Sequence, residues 1–172
     1  MLASSFIGLI SGYYRQADAI IMRFMDGLMS IPSLLMAIAL MALLGGSIQN
    51  VLIAISVTDT PRAVRIVRAS VLSLREQMFV DAAKAIGVPP WRILMLHIWP
   101  NTFAPLIVTG TYIAAAAVLT EANLSFLGAG ADPETPSWGT VMADGRHYIS
   151  RAVWITMIPG FFLTGLVLGI NL

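Results

Sequence analysis

Four stretches of this chain carry no charged residue: 1–14, 27–58, 93–120 and 152–172. Soluble cores rarely produce uninterrupted runs of this kind. A membrane span needs about 20 mostly apolar residues, and charge-free runs of that length read as transmembrane helices. The run 27–58 is too long for one crossing. It would extend about 48 Å as a single helix at roughly 1.5 Å per residue, against a hydrocarbon core of about 30 Å. Gly45-Gly46-Ser47, followed by Gln49-Asn50, supplies turn chemistry in its middle. The pattern therefore predicts crossings at about 25–44 and 48–67, the second weak at its end, where Asp59, Pro61 and Arg62 enter. Further crossings are predicted at about 104–122 and 152–172, with residues 1–14 as the tail of an earlier one. Pro32, Pro105 and Pro159 fall in or near these spans, where neighbouring groups can satisfy the freed carbonyl. The expected fold is an all-α, polytopic integral membrane bundle of about five helices, the first truncated. It is read as one domain over 1–172 that looks cut at both ends.

Composition strengthens that picture. Apolar residues make up 58% of the chain and charged residues 11%, against about 25% charged in ordinary soluble domains. Orientation follows from Lys and Arg. Residues 59–92 hold Arg62, Arg65, Arg68, Arg75, Lys84 and Arg92, and residues 15–26 hold Arg15 and Arg23. The stretch from Glu121 to Arg151 sets only Arg146 and Arg151 against Glu121, Asp132, Glu134 and Asp144. With two crossings between Asp26 and Asp59, both basic regions share the cytoplasmic side, and the acidic loop faces outward. Trp138 and Tyr148 fit an outer interfacial belt.

Several chemistries drop out. A net charge of +1 without a basic run gives no case for nucleic acid. The absence of cysteine removes disulfides, thiolate metal sites and cysteine nucleophiles. His97 and His147 lie in different loops and make no metal pair, and Met22, Met25, Met29 and Met36 read as packing. With no basic region before the first apolar run and no small-residue cleavage site before Tyr13-Tyr14, that run is expected to be a truncated helix and not a signal peptide. There is no P-loop and no defensible Ser/His/Asp set. The chain is not expected to be an enzyme, and no cofactor or metal is implied.

The charged stretch between the apolar runs has its own logic. Arg65, Arg68 and Arg75 lie within one helical face, where arginines can simply snorkel at a membrane surface. A helix over 72–86 should stop at Gly87, since Gly accepts positive φ at a C′ position without cost. Pro89-Pro90 forbids continuation and starts a new helix, with Trp91-Arg92-Ile93-Leu94 following. The product is a helix–turn–helix elbow. Small Ala82 and Ala83 allow another surface to approach closely. Sequence physics leaves two readings open, a docking element and an interfacial helix. Glu121 is the one carboxylate adjoining the crossing at 104–122, and an ionisable group there suggests a gate or substrate-facing role, or simply an outer-interface position. Gly8/Gly12 and Gly165/Gly169 have small-x-x-x-small spacing suited to close helix contact.

The elbow resembles the cytoplasmic loop of membrane subunits in binding-protein-dependent ABC importers, which reads E-A-A-x-x-x-G and then, after nine residues, I-x-L-P. Asp81, Ala82, Ala83, Gly87 and Pro100 fall on that pattern at matching spacing. Asp81 replaces Glu, keeping the charge on a shorter arm, while His97 and Trp99 stand where the family has Ile and Leu. Gly12-Tyr13-Tyr14, the stretch 25–32, Leu124 to Gly128 and Pro136-Ser137-Trp138-Gly139 are similar to the subfamily importing dipeptides, oligopeptides, nickel and glutathione. The resemblance implies a permease subunit of an ATP-driven importer in the cytoplasmic (inner) membrane of a bacterium or archaeon. It further implies an ATPase-coupling loop over about 75–100. The implied partners are two ATP-binding subunits, a second permease subunit, an extracytoplasmic solute-binding protein and the lipid bilayer. The resemblance leaves open which of these solutes is carried. The alternatives are a secondary transporter or channel that needs no ATPase, and a membrane scaffold.

Overall fold

The computed structural model describes residues 1–132 and 135–172, and among these every regular element is helical. Glu134, counted above in the acidic loop, lies outside the described residues. The helices are α1 (Leu2–Tyr13), α2 (Arg15–Met29), α3 (Ser33–Leu44), α4 (Ile48–Leu74), α5 (Met78–Ala85), α6 (Pro90–Phe126), α7 (Trp138–Gly145) and α8 (Trp154–Asn171).

The predicted crossing over 25–44 is broken. Helix α2 ends at Met29 and α3 begins at Ser33, with Pro32 in an extended conformation (φ −53°, ψ 129°). Proline disfavours helical geometry in the residue before it, and α3 is left with 12 residues. Among the described residues, two single helices suffice by length and composition to cross a membrane, α6 and α8, or three if α2 and α3 count together. The sequence pattern suggested four. Helix α4 has 27 residues and runs unbroken through Pro61, but Asp59, Arg62 and Arg65 enter it too early for an apolar span. The predicted turn at Gly45-Gly46 is present. Gly45 has φ +85°, and the Asn50 amide donates to the carbonyls of Leu44 and Gly45 at 2.8 and 3.0 Å.

The chain forms two compact units. The first comprises Met1–Ser30 and Thr60–Gly110. Its core gathers Leu9 of α1, Val67 and Val71 of α4, Val80 and Ala83 of α5, and Ile93 and Ile98 of α6. Helix α1 lies directly on α4. A Cβ added at Gly8 would sit 2.6 Å from Val67 Cβ, and one at Gly12 would sit 2.6 Å from Val71 Cβ. The small-residue spacing is thus used here for close helix contact. At Gly165 and Gly169 the same spacing meets nothing within 4 Å.

The second unit comprises Ile31–Asp59 and Thr111–Leu172. Ala37 and Met41 of α3, Val51 and Ala54 of α4 and Leu124 of α6 form its core. The eight-residue α7 was not foreseen from the sequence. It opens on a capping box in which Thr140 N–H donates to Ser137 Oγ and Ser137 N–H to Thr140 Oγ1, satisfying two otherwise orphaned donors.

Candidate functional site: the charged elbow

The elbow is built from the end of α4, all of α5 and the start of α6. The helix predicted over 72–86 is interrupted: α4 stops at Leu74 and α5 starts at Met78, with no Gly or Pro marking the break. The far end matches expectation closely. Gly87 takes φ +80°, Gly87 N–H donates to the Lys84 carbonyl, and Val88 N–H donates to the Ala83 carbonyl, both at 3.0 Å. This pair of reversed bonds is a Schellman closure, and it needs a left-handed residue at C′. Pro89 is the N-cap of the next helix and Pro90 its first residue, where a missing N–H costs nothing.

Pro100 sits inside α6 and leaves a different mark. Residues Ile93–Ile98 are wound as π-helix and Trp99–Thr102 as 3-10 helix. Proline cannot donate to the carbonyl four residues back and its ring crowds that turn, so the ladder widens before it and tightens after it. The Asn101 amide donates to the His97 carbonyl at 2.6 Å. Trp99 Nε1 reaches Ser5 Oγ at 3.2 Å, which uses the position where the family motif has Leu to tie α6 to α1.

The five motif residues do not share one face. Ala83 and Val80 are buried in the unit's core, whereas Asp81, Ala82 and Gly87 are exposed. The small size of Ala83 therefore serves the chain's own packing, and Ala82 alone of the pair faces outward. Asp81 accepts from Lys84 Nζ at 2.9 Å on an exposed surface. On the same elbow Met78, Ile86 and Trp91 are exposed, at 87%, 80% and 58%. Large apolar side chains left exposed on a charged segment suit contact with a partner surface.

The arginine face of α4 is engaged rather than snorkelling. Arg68 donates through Nε and Nη2 to the two carboxylate oxygens of Asp18, the latter bond at 2.6 Å. Ser11 Oγ donates to Asp18 at 2.6 Å. The hydrogen bond from Arg68 holds the Asp18 carboxyl below its ordinary range, with partial burial opposing and the Ser11 bond assisting. Arg65 pairs with Asp26 at 2.5 Å, and Arg75 Nη1 donates to the Gly12 carbonyl at 3.2 Å. Sequence reasoning missed Asp18 and Asp26 as partners. The available signal was the eight-residue interval between them, which puts both within one face of α2 opposite a basic helix.

Glu121 lies in the second unit, on the wall of a cavity of about 630 Å³. Val51, Ile55, Val118, Trp138 and Leu166 form much of the apolar lining. Ser125 Oγ donates to Glu121 Oε1 at 2.8 Å, so the carboxylate is held at the cavity by one turn of its own helix. Among the described residues no three His, Asp or Glu side chains gather as a metal site.

Residues 4–172 match the binding-protein-dependent transport system inner membrane component family. The chain belongs to that family. It is 46% identical over 171 residues to a putative peptide transport system permease protein of Brucella suis, covering 99% of this chain and 58% of that protein. It is likewise 46% identical to the dipeptide transport system permease protein DppC of Alkalihalophilus pseudofirmus, covering 96% of this chain and 55% of the relative. Identity to the probable D,D-dipeptide transport system permease protein DdpC of Escherichia coli is 38%, covering 99% and 58%. The chain thus spans somewhat more than half the length of these relatives. Family membership makes it an inner membrane transport component and not an enzyme.

Proposed function

We propose that the protein is a multi-pass permease subunit of an ATP-driven importer that carries peptides or related small solutes into a bacterial or archaeal cell. The geometry of the elbow carries this reading. A Schellman-closed helix fixed to its own core on one side presents Ala82, Met78, Ile86 and Trp91 to a partner on the other. In this reading, the partner is one of two ATP-binding subunits on the cytoplasmic side. Asp81 supplies the charged contact, Ala82 the close approach, Ala83 the seat of α5 in its own core, Gly87 the turn, and Pro100 the loosened helix behind it. ATP-driven closure of the ATPases moves the elbow, and the spans switch between two packed states. A second permease subunit completes the path, and an extracytoplasmic binding protein delivers solute. The names of the relatives given above favour a peptide. Glu121, on its apolar wall, contacts the solute or gates its passage. The test is to purify the full-length subunit with its neighbours and look for a P-loop ATPase bound to it. Its absence, with solute uptake intact, would overturn the reading in favour of an ATPase-independent transporter.

A further inference from the structure

The basic face of α4 makes two ion pairs scarcely one turn apart, and they are unlike in kind. The Arg65–Asp26 side chains are 44% and 57% exposed, and those of Arg68–Asp18 are 29% and 21% exposed. The outer pair is single and solvated, which leaves it little net strength. The inner pair is a two-pronged guanidinium–carboxylate contact, which fixes direction as well as distance, and Ser11 supplies a third bond from α1. Asp18 thereby joins three helices, α1, α2 and α4, at one carboxylate. Around this point the backbones also meet: a Cβ at Gly12 would lie 3.0 Å from the Arg68 carbonyl oxygen, and Arg75 ties the end of α1 to the end of α4. One turn beyond Arg68, Val71 packs with Val80 and Ala83 on the inner face of α5.

We propose that Asp18 and Arg68 are the positioning residues that make α1, α2 and the elbow move as one body. A force on the outer surface of α5 passes through Val80 and Ala83 to Val71. The Arg68–Asp18–Ser11 junction converts that local push into a displacement of α1 and α2, instead of a slip of α4 past them. A salt bridge serving only stability could be replaced by any contact of equal strength. One that transmits motion must keep its direction, which the two-pronged geometry supplies. The assignment rests on the transporter reading for its consequence, though not for its geometry.

The test uses the full-length subunit assembled with its ATPases and binding protein, carrying Asp18→Asn, Arg68→Ala, the exchanged pair Asp18→Arg with Arg68→Asp, and Arg65→Ala as control. Asp18→Asn and Arg68→Ala are expected to keep membrane insertion and ATPase co-purification. Stimulation of hydrolysis by loaded binding protein should fall about tenfold, within the range by which mutations between sites alter coupling. The exchanged pair should recover a substantial part, and Arg65→Ala should match the wild type. Undiminished stimulation in Asp18→Asn or Arg68→Ala would overturn the assignment. So would an equal loss in Arg65→Ala, or loss of folded subunit in the single variants with no recovery on exchange. Amide hydrogen exchange supplies a readout independent of transport. Asp18→Asn should speed exchange across Met78–Ala85, whose own contacts it does not touch, and unchanged exchange there would sink the proposal. If the wild-type subunit binds no ATPase, the transporter reading falls, while hydrogen exchange still decides the junction.

Discussion

At the scale of single residues, Gly87 and Gly12 show two different reasons for the same amino acid. Gly87 has open space around it, with nothing within 4 Å of an added Cβ, but its φ is +80°. Gly87→Ala should therefore cost about 1–2 kcal/mol through backbone strain alone, read as a lower denaturation midpoint without loss of insertion. In the assembled transporter it should also weaken ATPase association, as should Asp81→Ala, which removes charge without disturbing the fold. Normal hydrolysis and transport in both variants would remove the docking assignment. Gly12 is helical and closely approached, so Gly12→Val should prevent α1 from seating on α4 and reduce the yield of folded protein. Asp18 adds a pH dependence. Its carboxyl is held below the usual value of 3.8. Its contribution is complete above that value and is lost only as pH falls through the lower, folded one. Between pH 5 and 8 the Asp18–Arg68 link should not titrate, and carbonyl-edge infrared spectra of wild type against Asp18→Asn can check this. The glycine at 87 was legible in the sequence because Pro89-Pro90 follows it. The partners of Arg68 were not, since an ion pair across 50 positions leaves no local trace.

At the scale of elements, α5 is the informative case. Eight residues are too few for a stable helix on their own, so α5 depends on its buried face. Val80 is fully buried, and Val80→Ala should cost about 2 kcal/mol from lost methyl burial and the space left behind. The change should loosen the elbow while leaving the outward Met78, Ile86 and Trp91 chemically intact. Hydrogen exchange confined to Met78–Ala85 is the measurement, and uniform destabilisation of the chain would argue against a separately seated α5. The same dependence explains why the sequence predicts one helix over 72–86 where the structure ends α4 at Leu74 and starts α5 at Met78. Nothing in Arg75-Glu76-Gln77 opposes a helix locally, and the break is imposed by where Val80 and Ala83 must point. Pro32 works in the opposite direction: a local steric rule overrode an apolar pattern that looked like one crossing.

At the scale of the whole molecule, the Lys/Arg asymmetry sets an expectation that the native absence of cysteine makes easy to check. Ser73→Cys, exposed at the end of α4, should react with an impermeant thiol reagent only after the membrane is opened. Ser150→Cys, exposed between α7 and α8, should react from outside. The reverse pattern would invert the proposed topology. The membrane solvent, the helical class, the turn at Gly45, the Gly87–Pro90 elbow and the family were all legible without coordinates, because each is written in contiguous residues or in the composition of a run. Tertiary structure alone decided which side of α5 is free, which glycine pair is a contact, which carboxylate each arginine meets, and that Glu121 borders a cavity. These depend on segments distant in the chain arriving at one place, and a periodic face on one helix does not say which face of another helix it will meet.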